Sequence, residues 1–170
     1  MILTSHAVFG AAVASLVPNH PVEAFSLAFL SHFILDAIPH RDYDLHSIDA
    51  GSEEKKPIID IIINKYRFIR DVCLVSFDAL LGICLSFMFF FDPIYPWIFL
   101  IGAVSSLIPD FLTFLYLIIK HKPLVLFTNF HLGLIHSKSI LKLSQPVGVV
   151  LQFCTVALLI FILFSLRSFF

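Results

Sequence analysis

His32, Asp36 and His40 follow one another at four-residue intervals in the stretch SHFILDAIPHRDYD, between Ser31 and Asp44. On a helix each four-residue step drifts only about 40° around the axis, so the three side chains share one stripe. Imidazole nitrogen and carboxylate oxygen are the donor set for zinc, and also for manganese or iron. Groups of the same kinds recur along the chain at His6, Asp71, Asp78, Asp110, His131 and His136, several of them inside apolar runs. A carboxylate at the centre of a membrane costs about 2.5–3.5 kcal/mol even on the milder insertion scales. Such a group must pair, take up a proton or bind a cation. Lys and Arg stand almost wholly in the polar stretches, so a bound divalent metal best resolves the conflict.

His6, His32, Asp36, His40, Asp110, His131 and His136 are therefore the expected metal ligands. Asp78 or Asp110 is the expected general base, activating a metal-bound water. Asp42 and Asp71 are expected in supporting or substrate-contacting roles, although Asp42 also fits a solvated loop and Asp71 also fits a pair with Arg67 or Arg70. Ser137 and Lys138 are placed to meet a head-group phosphate. The expected cofactor is a divalent metal, zinc first, with manganese or iron as alternatives. More than four candidate ligands favour two ions over one.

The elements that must carry these groups are set by composition. The chain has 170 residues, 59% of them hydrophobic, with 20 Phe, and its mean hydropathy is +0.96. A water-soluble domain of this length has too little interior to hide so much apolar surface. The expected class is all-α: a polytopic membrane bundle of about five transmembrane or half-spanning helices, with an interfacial amphipathic helix, forming a single domain over residues 1–170. A net charge of −1 gives no footprint for nucleic acid. Cys73, Cys84 and Cys154 lie in apolar runs without metal spacing and read as packing residues. The first stretch, MILTSHAVFGAAVASLVP, lacks a basic leader region and carries His6, so it reads as a retained helix.

Five apolar segments are expected, at about Leu3–Val17, Val22–Ile38, Val72–Phe91, Trp97–Ile119 and Val147–Leu166. The first two are short and read as a tight hairpin. Asp60, Asn64, Arg67 and Asp71 make a polar stripe on an amphipathic helix that leads into the third span. Residues 120–144 read as a mixed loop. If all five segments cross, the N-terminus, residues 40–70 and this loop share one side. That side holds nearly all the Lys and Arg, so it is the expected cytoplasmic side of a prokaryotic membrane. The same topology brings His6, His32, Asp36, His40, Asp71, Asp78, Asp110, His131 and His136 to one depth.

Four short pieces resemble the YdjM-like family of membrane-bound metal-dependent hydrolases, of the LexA-regulated type. TSHAVFG (Thr4–Gly10) is similar to its His-x-x-x-Gly element and SHFILD (Ser31–Asp36) to its Ser-His-x-x-x-Asp element. IPD (Ile108–Asp110) is similar to its Leu-Pro-Asp element and HLGLIHS (His131–Ser137) to its His-x-Gly-x-x-His-Ser element. The order of the elements is rearranged here, and Phe111 and Leu112 stand where the family has a further Asp and His. The resemblance implies a hydrolase.

The expected function is a hydrolase acting on a lipid or polyprenyl phosphoester or ester near the cytoplasmic face, with a membrane lipid as substrate. A transporter or handler of metal ions or protons is the alternative. A transporter needs polar groups through the whole thickness, often in inverted repeats, and neither is visible. A di-iron lipid oxidase would show H-x-x-x-H or H-x-x-H-H boxes, which are missing.

Overall fold

The computed structural model describes residues 1–38, 40, 42–43, 45, 65–119, 121–135 and 144–167. Among them the protein is all-helical. The helices are α1 (Leu3–Ala14), α2 (Pro21–Ala37), α3 (Lys65–Phe90), α4 (Ile98–Ile119), α5 (Lys122–Thr128) and α6 (Gln145–Arg167); α5 runs on into a π-helical segment, Asn129–Ile135. Among the described residues, three helices are long and apolar enough to cross a membrane, over Tyr66–Phe90, Ile98–Tyr116 and Pro146–Ser165. α1 and α2 have 12 and 17 residues. At 1.5 Å per residue they reach about 18 and 25 Å, short of a hydrocarbon core of about 30 Å. They form the expected hairpin, with Pro21 opening α2 at a position that needs no N–H.

The side-chain pattern is inside-out relative to a protein in water. On α2 the buried stripe is Ala24, Ala28, Ser31, His32, Leu35 and Asp36, while Val22, Phe25, Leu27, Leu30 and Ile34 face outward. On α3 the outward face carries Ile69, Leu74, Phe77, Leu80, Leu81, Phe87, Met88 and Phe89. Water would not tolerate so large a continuous apolar surface, and lipid does. Arg67 and Asp71 lie in the first two turns of α3 itself, and Asp60 and Asn64 of the expected polar stripe lie outside the described residues. Within the expected 120–144 loop, residues 122–135 are helical instead. Pro123 supplies the N-terminal start and a short apolar run fills the turns.

α1 is the centre of the bundle, packed by α2, α3, α4 and α6. Its small residues make this possible. A Cβ added at Gly10 would lie 2.5 Å from Ser106 Cβ on α4, and one added at Gly82 of α3 would lie 2.8 Å from Ala7 Cβ. Such close crossings are how helices associate where lipid removes the hydrophobic drive. The first turn of α1 is anchored by groups from other elements, because its leading N–H groups have no partner within the helix. Ile2 N–H donates to Gln152 Oε1 of α6 at 3.1 Å, Leu3 N–H to Tyr43 Oη at 2.8 Å, and Thr4 N–H to Asp78 Oδ2 of α3 at 2.9 Å. This fixes His6, two residues on, in place.

Candidate metal centre

Four elements converge at the end of the bundle where α1 begins. α1 brings His6, the last two turns of α2 bring His32 and Asp36, α4 brings Asp110, and the π-helical segment brings His131. The wider π turn, a form often found at functional sites, aims His131 inward, where it is fully buried. His40 lies just past α2 and is also buried. His32, Asp36, Asp110 and His131 each offer one ligand atom, all within 4.8 Å of one another, a grouping that could hold a metal ion.

The proton positions follow from the partners of the other ring nitrogens. His32 Nδ1 stands 2.8 Å from the Ser106 carbonyl oxygen. A carbonyl only accepts, so Nδ1 carries the hydrogen and Nε2 presents its lone pair. His131 Nδ1 lies 3.0 Å from Thr113 Oγ1, whose own proton goes to the Pro109 carbonyl at 3.1 Å. Thr113 therefore accepts from Nδ1–H, and His131 Nε2 is turned toward His32 and Asp36. The two Nε2 atoms stand 2.9 Å apart. Asp36 Oδ2 is 3.0 Å from the first and 2.9 Å from the second. His32 Nε2, His131 Nε2 and Asp36 Oδ2 thus meet at one point, as the ligand atoms of a metal ion would. One cation in the middle would contact all three. Asp110 Oδ1 stands back, 3.8 and 3.9 Å from the two nitrogens, and its side chain keeps 29% exposure.

Asp36 Oδ1 faces the other way. His6 Nε2 comes within 3.1 Å of it, but not along a hydrogen-bond direction, so both ring nitrogens of this fully buried imidazole lack a hydrogen bond. The His6 ring stacks on His32 with centroids 4.0 Å apart. His40 Nδ1–H donates to the Ile38 carbonyl at 2.7 Å, and its Nε2 stands 3.2 Å from Asp42 Oδ1 and 4.0 Å from Asp36 Oδ1. The Met1 ammonium lies 2.8 Å from Asp42 Oδ1 and 3.4 Å from Asp36 Oδ1. Burial alone would push this ammonium down, but the charges of Asp36, Asp42 and Asp110 outweigh it and hold the group above its ordinary value.

Not every expected site residue joins the cluster. Asp78 is engaged at the start of α1, where it accepts from Thr4 N–H, from Thr4 Oγ1 at 2.7 Å and from the Tyr43 hydroxyl. Burial, reinforced by Asp78 beside it, pushes the Tyr43 phenol well above its usual range. Asp71 is buried with Arg70 Nε 3.6 Å away. His136, Ser137 and Lys138 lie outside the described residues. Sequence reasoning missed Ser106, Thr113 and Tyr43, which orient imidazoles or anchor α1. Nothing in their spacing marks them, since a carbonyl or hydroxyl gains this role only through the helix packed against it.

A cavity of about 960 Å³ lies on the opposite face of α1, between α3 and α6, walled by Phe89, Phe90, Phe153 and Phe161 among others. None of the clustered imidazoles or carboxylates lines it, so it is not the chamber of this site. No family model, curated protein or solved structure matches the chain.

Proposed function

We propose that this protein is a membrane-embedded metal-dependent hydrolase that cleaves a lipid or polyprenyl (phospho)ester near the cytoplasmic face of a prokaryotic membrane. The observation that carries the reading is the triangle of candidate ligand atoms, His32 Nε2, His131 Nε2 and Asp36 Oδ2, with edges of 2.9–3.0 Å. A divalent ion there, zinc by donor type, would lower the pKa of a bound water toward about 7 and polarise the scissile oxygen. Asp110 is the partly exposed carboxylate beside the triangle, and it takes the proton from that water as general base. Asp78 is less suited to that task because three donors already occupy it.

Two further points support hydrolysis. The four sequence elements that resemble the YdjM-like hydrolases supply His6, His32, Asp36, Asp110 and His131, and these come together in one cluster despite the rearranged order. The described helices also carry no carboxylate, imidazole or basic group between this cluster and the rim residues His20, Glu23 and Asp92 at the far end. An ion path across the bilayer would need some. The test is hydrolysis by the purified, metal-loaded protein in nanodiscs, offered lipid and polyprenyl phosphoesters and carboxyl esters. The expected result is product release that His32→Ala abolishes. Ion flux into liposomes without any cleavage would instead establish the transporter alternative.

A further inference from the structure

α6 packs along α1, and beside that contact lies the cavity of about 960 Å³. It follows α1 from Thr4 to Ser15, between Phe89 and Phe90 of α3 and Phe153 and Phe161 of α6. Phe89, Phe153 and Phe161 also belong to the outward apolar face, so the cavity is continuous with the surface that lipid covers. Phe90 and Phe164 stack with ring centroids 6.2 Å apart and link α3 to α6 beside it. We propose that this cavity binds the hydrocarbon chains of one membrane lipid, whose ammonium-bearing head group lies at the end of the bundle away from the metal centre. The inference is independent of the hydrolase reading: this lipid is a resident of the bundle, not a substrate.

Size selects the chains. From Thr4 to Ser15 the helix rises about 17 Å, so the cavity spread over that length is about 57 Å² in section. A helix with its side chains is about 10–12 Å across, or about 80–110 Å² in section, so a helix from a second copy of the protein does not fit. Extended hydrocarbon chains at contact distances of about 4–4.5 Å occupy about 20 Å² each, and two lie side by side. Water is disfavoured between phenyl walls. The bound chains would fill the gap between α3 and α6 and hold α6 in place.

The rim selects the head group. Among the described residues lining the cavity, Asp92 is the only charged one. It follows the end of α3, in the turn that leads to the exposed Trp97, and exposed aromatic rings of this kind mark the membrane–water interface. Asp92 Oδ1 accepts from Ile94 N–H at 2.8 Å. A carboxylate has room for further donors, so an ammonium head group gains a charge-assisted contact there, while an anionic head group is repelled.

The experiment is native mass spectrometry of the full chain, stripped of lipid in detergent and then given phosphatidylethanolamine or phosphatidylglycerol with matched acyl chains. The parent should retain one phosphatidylethanolamine per chain, at about 2–5-fold higher occupancy than phosphatidylglycerol, the range of an exposed charge pair. Ala157 lines the cavity; Ala157→Phe should fill it and abolish retention, with metal content and circular dichroism at the parent's level. Asp92→Asn keeps the acceptor for Ile94 N–H and should keep the lipid but lose the preference. Phosphatidylethanolamine with a diazirine in its acyl chain gives a readout on the parent alone, and its adducts should concentrate on residues 85–91 and 153–161. No lipid on the parent, unchanged retention in a folded Ala157→Phe, or adducts spread equally over the outward faces of α2 and α4 would overturn the site. A dimer that Ala157→Phe dissociates would overturn it in favour of a second copy. Equal retention of the two lipids by the parent would overturn the ammonium head group.

Discussion

Asp78 separates an anchoring role from a catalytic one, and the two predict different outcomes on substitution. Its carboxylate accepts from Thr4 N–H at 2.9 Å, from Thr4 Oγ1 at 2.7 Å and from the Tyr43 hydroxyl. Hydrogen bonds to a charged acceptor contribute about 1.5–3 kcal/mol each. At the low end, three such bonds are worth about 4–5 kcal/mol. Removing a carboxylate from membrane depth returns up to about 3 kcal/mol, but Asp78→Ala also strands the Thr4 N–H, at about 1–3 kcal/mol. The net loss is about 2–4 kcal/mol. At about 2–4 °C per kcal/mol for a chain of this size, the unfolding midpoint in detergent should fall by about 5–15 °C. Asp78→Asn keeps an acceptor for Thr4 N–H and can turn its amide toward Tyr43, so its loss should be under half as large. Metal content should stay at the parent level in Asp78→Asn, and hydrolysis should persist at the same order of magnitude. An Asp78→Asn protein with the parent's melting point and metal but no turnover would refute the anchoring role and make Asp78 the base.

Other outcomes follow from single contacts. Gly10→Ala drives a methyl group to 2.5 Å from Ser106 Cβ and Oγ, so α1 and α4 must part. A loss of about 1–3 kcal/mol in thermal or denaturant unfolding is expected, together with weaker metal retention, since the Ser106 carbonyl orients His32; Gly133→Ala, where an added Cβ meets nothing within 4 Å, should change neither. Thr113→Val removes the acceptor for His131 Nδ1–H and should weaken metal affinity about 10–100-fold in a competitive chelator titration. Because the Tyr43 phenol is held above its ordinary range by burial and by Asp78, the folded protein keeps that proton while the unfolded chain gives it up near pH 10. The stability tied to Tyr43 is thus complete below that pH and falls as pH climbs past it. Denaturation followed against pH should show the parent losing stability more steeply above about pH 10 than Tyr43→Phe.

The membrane bundle was legible because composition and apolar run length alone exclude a soluble fold, and the short first two segments already indicated a hairpin. The polar stripe of the candidate site was legible for a similar reason: His32 and Asp36 sit at helical spacing where lipid-facing residues would otherwise stand. Depth could be inferred from the alternation of helix direction, which brings His6, Asp110 and His131 to the level of Asp36. Roles within that layer could not. Asp78 and Asp110 are indistinguishable as carboxylates in apolar runs, and only packing shows that one meets the first turn of α1 while the other stands beside the imidazoles. Residues 122–135 read as a loop because a His, an Asn and a Gly interrupt a short apolar run; the helical turns there depend on contacts with α4 and α2. The imidazole tautomers were likewise invisible, since they are set by Ser106, Thr113 and Ile38 across helix contacts or a chain turn.

The most direct measurement is anomalous X-ray scattering from crystals of the zinc-loaded protein, recorded at the zinc edge. The expected map has a peak within about 2.0–2.2 Å of His32 Nε2, His131 Nε2 and Asp36 Oδ2 together, absent after chelation and absent in His32→Ala. A map with no anomalous peak there, in which water or a direct imidazolium–carboxylate contact fills the space between the three side chains, would contradict the account.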